Sequence, residues 1–294
     1  MTIFKGAATA LVTPFKDNAI DFNAYDRLLE MQLASGIDGL VVCGTTGEAS
    51  TLTEEEKLQL AAHTIKKANK KVPIIIGTGS NNTMQALDMS KKMEALGADG
   101  LLLVTPYYNK CSDRGLIEHY NLIADSVSIP CILYSVPSRT GVNISPHVVS
   151  QLCKHPNIVG IKDASGNISQ LVEIAKYISD DFALYSGNDD NVVPILSLGG
   201  TGVISTVSNI IPKDMHDMVI KYLEGNVEEA RKLQLKAKSL IDVVFSDVNP
   251  IPIKAALNML GYIEREYRLP LCRPSNQVLF NLSEELKSYG FTLK

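Results

Sequence analysis

Short apolar runs rich in β-branched residues alternate with amphipathic stretches from near the N-terminus to about residue 206. The runs fall at residues 7–12, 39–43, 73–77, 100–104, 131–135, 159–162, 183–186 and 202–205. Val72-Pro-Ile-Ile-Ile76 and Leu101-Leu-Leu-Val104 are apolar without alternation, the pattern of strands buried on both faces of a parallel sheet. Between the runs lie helix starts. Thr53-Glu-Glu-Glu56 has the form of a capping box, and further helices are expected from near Asp21, Thr83, Ser112, Ser145, Ile168 and Asp190.

A strand recurring roughly every 30 residues is the signature of serial βαβ units. Eight such units with no second Gly/Pro-rich linker favour a closed (β/α)8 TIM barrel over an open sheet. The barrel is expected over residues 1–212. Residues 213–294 read as mostly helical, beginning with the Glu/Lys/Leu-rich stretch 226–244, and are expected to pack on the barrel as a C-terminal appendage.

Composition narrows the class without naming a reaction. A chain of 294 residues with 45% hydrophobic and 20% charged residues can bury one large core. A net charge of -4, with cations spread along the chain, gives no footprint for nucleic acid or an anionic membrane. No apolar stretch is long enough to span a bilayer, the N-terminus lacks signal-peptide regions, and a cytoplasmic location is expected. The five cysteines (Cys43, Cys111, Cys131, Cys153 and Cys272) are odd in number and form no Cys-x-x-Cys pair. They are expected to be reduced thiols, mostly small core hydrophobes.

In such a barrel the catalytic groups sit at the C-terminal ends of strands and in the loops that follow. Thr45, Thr46 and Glu48 follow the second run, Tyr107 and Tyr108 the fourth, and Tyr134 and Arg139 the fifth. Lys162 ends the sixth, and Ser186-Gly-Asn188 the seventh. Lys162 is the most informative of these. A buried strand normally ends in an aliphatic residue, and an ammonium there loses hydration, which favours the free amine. A free amine can attack a ketone to form a Schiff base. The bland alternative is a lysine that snorkels into solvent. With a phenol on the neighbouring strand and threonines on the same rim, the catalytic reading is preferred.

Tyr134 is either an aromatic strand residue with a satisfied hydroxyl or a proton shuttle for imine formation. Arg139 fits a bidentate clamp on a substrate carboxylate better than a surface salt bridge. Gly44-Thr-Thr-Gly-Glu48 resembles an anion-binding turn, though an ordinary turn before a helix is the simpler alternative. It lacks the Gly-Lys-Ser/Thr of a phosphate-binding loop, and Gly77-Thr-Gly79 does not extend into a dinucleotide fingerprint. The five histidines fall on helices or helix edges, with no metal spacing and no Gly-x-Ser-x-Gly elbow. No metal or cofactor is expected.

Taken together, Gly44-Thr-Thr-Gly-Glu48, Thr105-Pro-Tyr-Tyr-Asn109, Tyr134-Ser-Val-Pro-Ser-Arg-Thr-Gly141 and Gly160-Ile-Lys-Asp-Ala-Ser-Gly166 resemble the dihydrodipicolinate synthase (4-hydroxy-tetrahydrodipicolinate synthase) family. That family belongs to the N-acetylneuraminate lyase superfamily of class I aldolases. The resemblance runs from Gly6 to at least Asn249-Pro-Ile-Pro252. It implies condensation of pyruvate with L-aspartate 4-semialdehyde, the first committed step of diaminopimelate and lysine biosynthesis. By resemblance, Lys162 forms the pyruvate Schiff base, and Tyr134, Thr45 and Tyr108 form a proton relay. Thr46 holds the pyruvate carboxylate, Arg139 orients the semialdehyde carboxylate, and Gly187 and Ile204 line the site. The residue matching Tyr108 enters the neighbouring subunit's site in the family, so a homo-oligomer is implied, with a homotetramer built as a dimer of dimers.

Two departures, Ser135 for a frequent Asn and Cys111 for a frequent Pro, do not touch the proposed chemistry. The family's feedback site for lysine maps to Ser50, Glu54, Lys57, Asn81, Gln85 and Tyr107. Inhibited members often carry histidines at the positions of Glu54 and Lys57 and a glutamate at Gln85, so weak or absent lysine inhibition is expected. The alternatives are another pyruvate-dependent lyase of the superfamily, an N-acetylneuraminate lyase or 2-keto-3-deoxy sugar-acid aldolase, and a non-catalytic barrel. Those lyases generally lack an arginine at the position of Arg139, and loss of Lys162 or Tyr134 would mark a non-catalytic barrel.

Overall fold

The computed structural model describes residues 2–294. Eight parallel strands close into a barrel: β1 (Gly6–Ala10), β2 (Gly39–Val42), β3 (Ile74–Gly77), β4 (Gly100–Val104), β5 (Cys131–Ser135), β6 (Ile158–Asp163), β7 (Ala183–Ser186) and β8 (Gly202–Ser205). Each pairs with its sequence neighbours, and β8 closes on β1 through Gly6↔Gly202 to Thr9↔Ser205. The expected (β/α)8 fold is the observed one, and strand boundaries agree within two residues.

The apolar runs form because each strand is covered on both faces. Ala8, Val41, Ile75, Leu102, Ile132 and Ile204 fill the barrel interior, while Ala7, Leu40, Ile74, Leu101 and Leu133 pack outward under the helices. Side-chain alternation along each strand divides one continuous apolar run between two cores.

Helices begin where capping side chains allow. Thr53 Oγ1 accepts from the Glu56 amide at 3.2 Å while Glu56 Oε2 accepts from the Thr53 amide at 2.9 Å, completing the capping box. Asp21, Asn82, Ser112, Ser145 and Asn167 cap other helices, each through a side-chain oxygen that accepts from a first-turn amide. Two small elements escaped the sequence reading. Phe15–Lys16 pairs antiparallel with Ala19–Ile20, and Pro137–Thr140 forms a single helical turn.

Helix Pro212–Leu223 follows β8 and packs on the barrel. Helices Val227–Val244, Ile251–Met259 and Asn276–Tyr289 complete the chain. Among the described residues, no helix is long and apolar enough to cross a membrane. The cysteines correct an expectation. Only Cys43 and Cys131 are buried, Cys153 is half-buried, and Cys111 and Cys272 are exposed. Burial pushes the Cys43 and Cys131 thiols up to about 12.

Candidate active site

Lys162 and Tyr134 are register partners on adjacent strands, and their side chains meet at the C-terminal mouth of the barrel. The Lys162 ammonium lies 4.3 Å from the centroid of the Tyr134 ring. The two residues are 6% and 7% exposed, so the amine sits within a wall of protein rather than in bulk water. Together they border a cavity of about 170 Å³. Thr45, Thr46, Arg139 and Gly187 line it as well.

The Gly44–Glu48 segment enters this cavity as a tight turn. Gly44 O accepts from the Gly47 amide at 3.1 Å, and Thr45 O accepts from the Glu48 amide at 3.1 Å. Cys43 and Glu48, on either side of the turn, have φ of 57° and 53°. Left-handed backbone at non-glycine residues costs on the order of 1–3 kcal/mol and persists only where surrounding structure enforces it. Here the enforcement is visible. Glu48 is buried and accepts from Lys254 Nζ at 2.5 Å, and the adjoining Thr46 hydroxyl meets the Thr206 hydroxyl at 3.2 Å. Gly77 completes the packing: a Cβ there would fall 2.2 Å from the Cys43 carbonyl oxygen.

Arg139 lies on the one-turn helix Pro137–Thr140, which proline starts and Gly141 ends with φ of 68°. Thr140 Oγ1 accepts from Thr105 Oγ1 at 2.9 Å, fastening this turn to the end of β4. Arg139 itself is exposed, and its Nη2 donates to the Asn249 carbonyl at 3.1 Å. Gly187 follows β7 where the chain passes close to β6: its amide donates to the Asp163 carbonyl at 2.7 Å, and a Cβ would lie 2.7 Å from Ala164 Cβ.

Three of the expected residues, Ile204, Tyr108 and Asn81, are not among those lining this cavity. Ile204 is buried in the inner barrel layer with Tyr134 instead of bordering the cavity. Tyr108 is 91% exposed at φ of 70°, on the rim outside the cavity. Asn81 is engaged through its carbonyl, which accepts from Asn109 Nδ2 at 2.9 Å.

A second cavity, about 560 Å³, adjoins the first and shares Thr45, Tyr134 and Arg139 with it. Ser50, Glu54, Lys57, Gln85 and Tyr107 line it, as does Asp88, to which the sequence reading gave no role. Lys92 meets Glu54 at 2.5 Å and Asp88 at 2.6 Å, so both carboxylates already face a cation.

Sequence reasoning also passed over Asp189, Thr206 and Asn249. Asp189 Oδ2 accepts the amides of Thr206 and Val207 at 3.1 and 2.9 Å, and burial pushes its carboxyl above the usual range while the nearby Lys162 charge opposes that. Thr206 follows β8 directly and was findable by the strand-end rule. Asn249 opens the segment Asn249-Pro-Ile-Pro252, which lies off any strand end.

A closed parallel barrel with a buried lysine and tyrosine at its C-terminal rim defines an enzyme of the aldolase-type lyase class. Residues 3–289 match the dihydrodipicolinate synthetase family, and the chain belongs to it. It is 50% identical to the 4-hydroxy-tetrahydrodipicolinate synthase of Clostridium novyi over 292 residues, covering 99% of each chain. It is similar to the crystal structure of dihydrodipicolinate synthase from Thermotoga maritima, at TM-score 0.97 and 42% identity, covering 98% of this chain and 99% of that one. The chloride-inhibited dihydrodipicolinate synthase of Acinetobacter baumannii, complexed with pyruvate, matches at TM-score 0.96 and 41% identity, covering 98% and 99%.

Proposed function

We propose that this enzyme condenses pyruvate with L-aspartate 4-semialdehyde to give 4-hydroxy-tetrahydrodipicolinate, through a Schiff base on Lys162. The observation that carries the reading is the Lys162–Tyr134 pair inside a cavity also lined by three threonines and an arginine. The relatives' names and the pyruvate complex of the Acinetobacter protein point the same way.

In this reading the Lys162 amine adds to the ketone of pyruvate, and the carbinolamine loses its oxygen as water. Tyr134, against the same amine, supplies the proton that leaves with that water. The protonated imine withdraws electrons from the methyl carbon, which gives up a proton to become an enamine nucleophile. That carbon attacks the aldehyde, whose oxygen takes up a proton; the semialdehyde's amino group then adds to the imine carbon and displaces the Lys162 amine, closing the ring and freeing the enzyme. Thr45 joins the relay from the second strand end, and Thr46 holds the pyruvate carboxylate. Arg139 binds the carboxylate of the semialdehyde.

Tyr108 is exposed and lines neither cavity of its own chain, which suits a role in a neighbouring copy's site. A homodimer is then the smallest complete unit, and a tetramer a pair of such dimers. The larger cavity is lined by Ser50, Glu54, Lys57, Gln85 and Tyr107, five of the six residues that the resemblance assigns to a lysine feedback site. Lys57 repels a cationic ligand there, Gln85 offers it no charge, and Lys92 occupies Glu54 and Asp88. We therefore expect weak or absent lysine inhibition, and a submillimolar inhibition constant in a coupled assay would refute that.

The decisive test is borohydride trapping in the presence of pyruvate, followed by peptide mapping. The expected label is on Lys162 alone; label elsewhere, or none, overturns the mechanism. Turnover of aspartate semialdehyde, with none of N-acetylneuraminate, distinguishes the synthase from its sugar-acid relatives.

A further inference from the structure

We infer that Asn249 is a positioning residue for the pyruvate carboxylate site: it donates a hydrogen bond to Thr46 and so leaves the Thr46 hydroxyl proton free for the substrate. This rests on the pyruvate reading above. Asn249 lies 203 residues from Thr46 in sequence, yet its Nδ2 donates to Thr46 Oγ1 at 3.0 Å. It is 7% exposed and borders the same cavity as Lys162. Its main-chain oxygen accepts from Arg139 Nη2 at 3.1 Å. One residue therefore touches both groups assigned to substrate carboxylates, by its side chain on one and by its backbone on the other.

The direction of the Thr46 bond is what matters. A threonine hydroxyl has one proton and two lone pairs. An amide N–H from Asn249 fills one lone pair, and Thr206, at 3.2 Å, can fill the other by donating its own proton. With both lone pairs filled, the Thr46 O–H is free to donate to a carboxylate in the cavity, while Asn249 Oδ1 is buried with no hydrogen-bond partner among the described residues. A hydrogen bond to a charged acceptor is worth more than a neutral one, so orienting that proton before binding favours the anion.

An acceptor at position 249 reverses the arrangement. Asn249→Asp has the same shape, but its carboxylate can only accept. It draws the Thr46 proton away from the substrate and sets a negative charge beside an anion site. Asn249→Ala removes the donor while keeping the backbone carbonyl that Arg139 uses.

The experiment combines steady-state kinetics with borohydride trapping for wild type, Asn249→Asp, Asn249→Ala, Thr46→Val and the Ala/Val double variant, with thermal unfolding of each. The wild type must first be labelled by pyruvate; if it is not, the pyruvate reading falls and this inference with it. Given labelling, both Asn249 variants are expected to raise the pyruvate KM about tenfold, with smaller effects on the KM for aspartate semialdehyde. The Asp variant should recover towards wild type as the pH is lowered, because its protonated carboxyl can donate again. The Ala and Val effects should be markedly less than additive, as expected for partners in one bond. Wild-type pyruvate KM in the isosteric Asp variant, pH-independent loss, or full additivity would overturn the inference. If the Ala variant does not fold, the Asp variant and its pH profile decide alone.

Discussion

Lys254 Nζ and Glu48 Oε1 meet at 2.5 Å with both side chains wholly buried, joining the helix Ile251–Met259 to the turn that carries Thr45 and Thr46. The Lys254 ammonium also lies 4.3 Å from the Phe15 ring centroid and 5.2 Å from that of Tyr267. Burial pulls the Lys254 pKa down and the Glu48 charge opposes it. The two charges were taken out of water together, so removing one strands the other. Lys254→Met is expected to destabilise the fold by about 3–5 kcal/mol, whereas replacing both residues with apolar ones of similar size should cost far less. Denaturant unfolding of the single and double variants measures this. A loss under about 1 kcal/mol in the single variant would mean the pair is not the anchor described here.

The strand ends were legible in the sequence because a buried parallel strand leaves little freedom: its run is apolar, and any polar group ending it stands out. Lys162, Tyr134 and the Gly44–Glu48 turn were found in that way, as was Thr53 by its capping pattern. What escaped lacks a local signal. Asn249 and Lys254 reach the site from 203 and 206 residues away, off any strand end, and only the three-dimensional packing brings them there. The Pro137–Thr140 turn did carry its punctuation, proline at the start and Gly141 at the end, but one turn is too short for periodicity to register. The Phe15–Lys16 hairpin strands are two residues each, below the length at which alternation can be read.

Tyr134 and Lys162 are separable in experiment, because one moves protons and the other carries the carbon skeleton. Tyr134→Phe should lower kcat by about 10²–10⁴-fold, the range for loss of a positioned acid–base group. Borohydride should still label Lys162 in this variant, at a reduced rate. Unchanged kcat would return Tyr134 to the status of a packing residue.

Arg139 is exposed and bound to one carbonyl, so its guanidinium keeps donors available for a ligand. Arg139→Ala is expected to weaken transition-state binding of aspartate semialdehyde by about 1.5–3 kcal/mol, the range for hydrogen bonds to a charged group. Arg139→Lys should restore the charge without the two-pronged geometry and recover only part of that loss. Pyruvate labelling of Lys162 should be nearly unaffected in both. Equal damage to labelling and to semialdehyde use would contradict a role confined to the second substrate.

His119 supplies a pH prediction away from the chemistry. It is buried on the helix Asp113–Asp125, its Nδ1 lies 3.0 Å from Thr83 Oγ1, and its Nε2 has no hydrogen-bond partner among the described residues. Burial pulls its pKa from 6.5 to about 4. The unfolded chain therefore takes up a proton near pH 6.5 that the folded protein refuses until about pH 4. The stability present above pH 6.5 is lost as the pH falls from there towards about 4, by up to roughly 3 kcal/mol. His119→Gln has no such proton to bind, so its unfolding free energy should fall less steeply over that window. Parallel pH dependences for wild type and variant, measured by denaturant unfolding between pH 4 and 7, would show that His119 is not held neutral by its site.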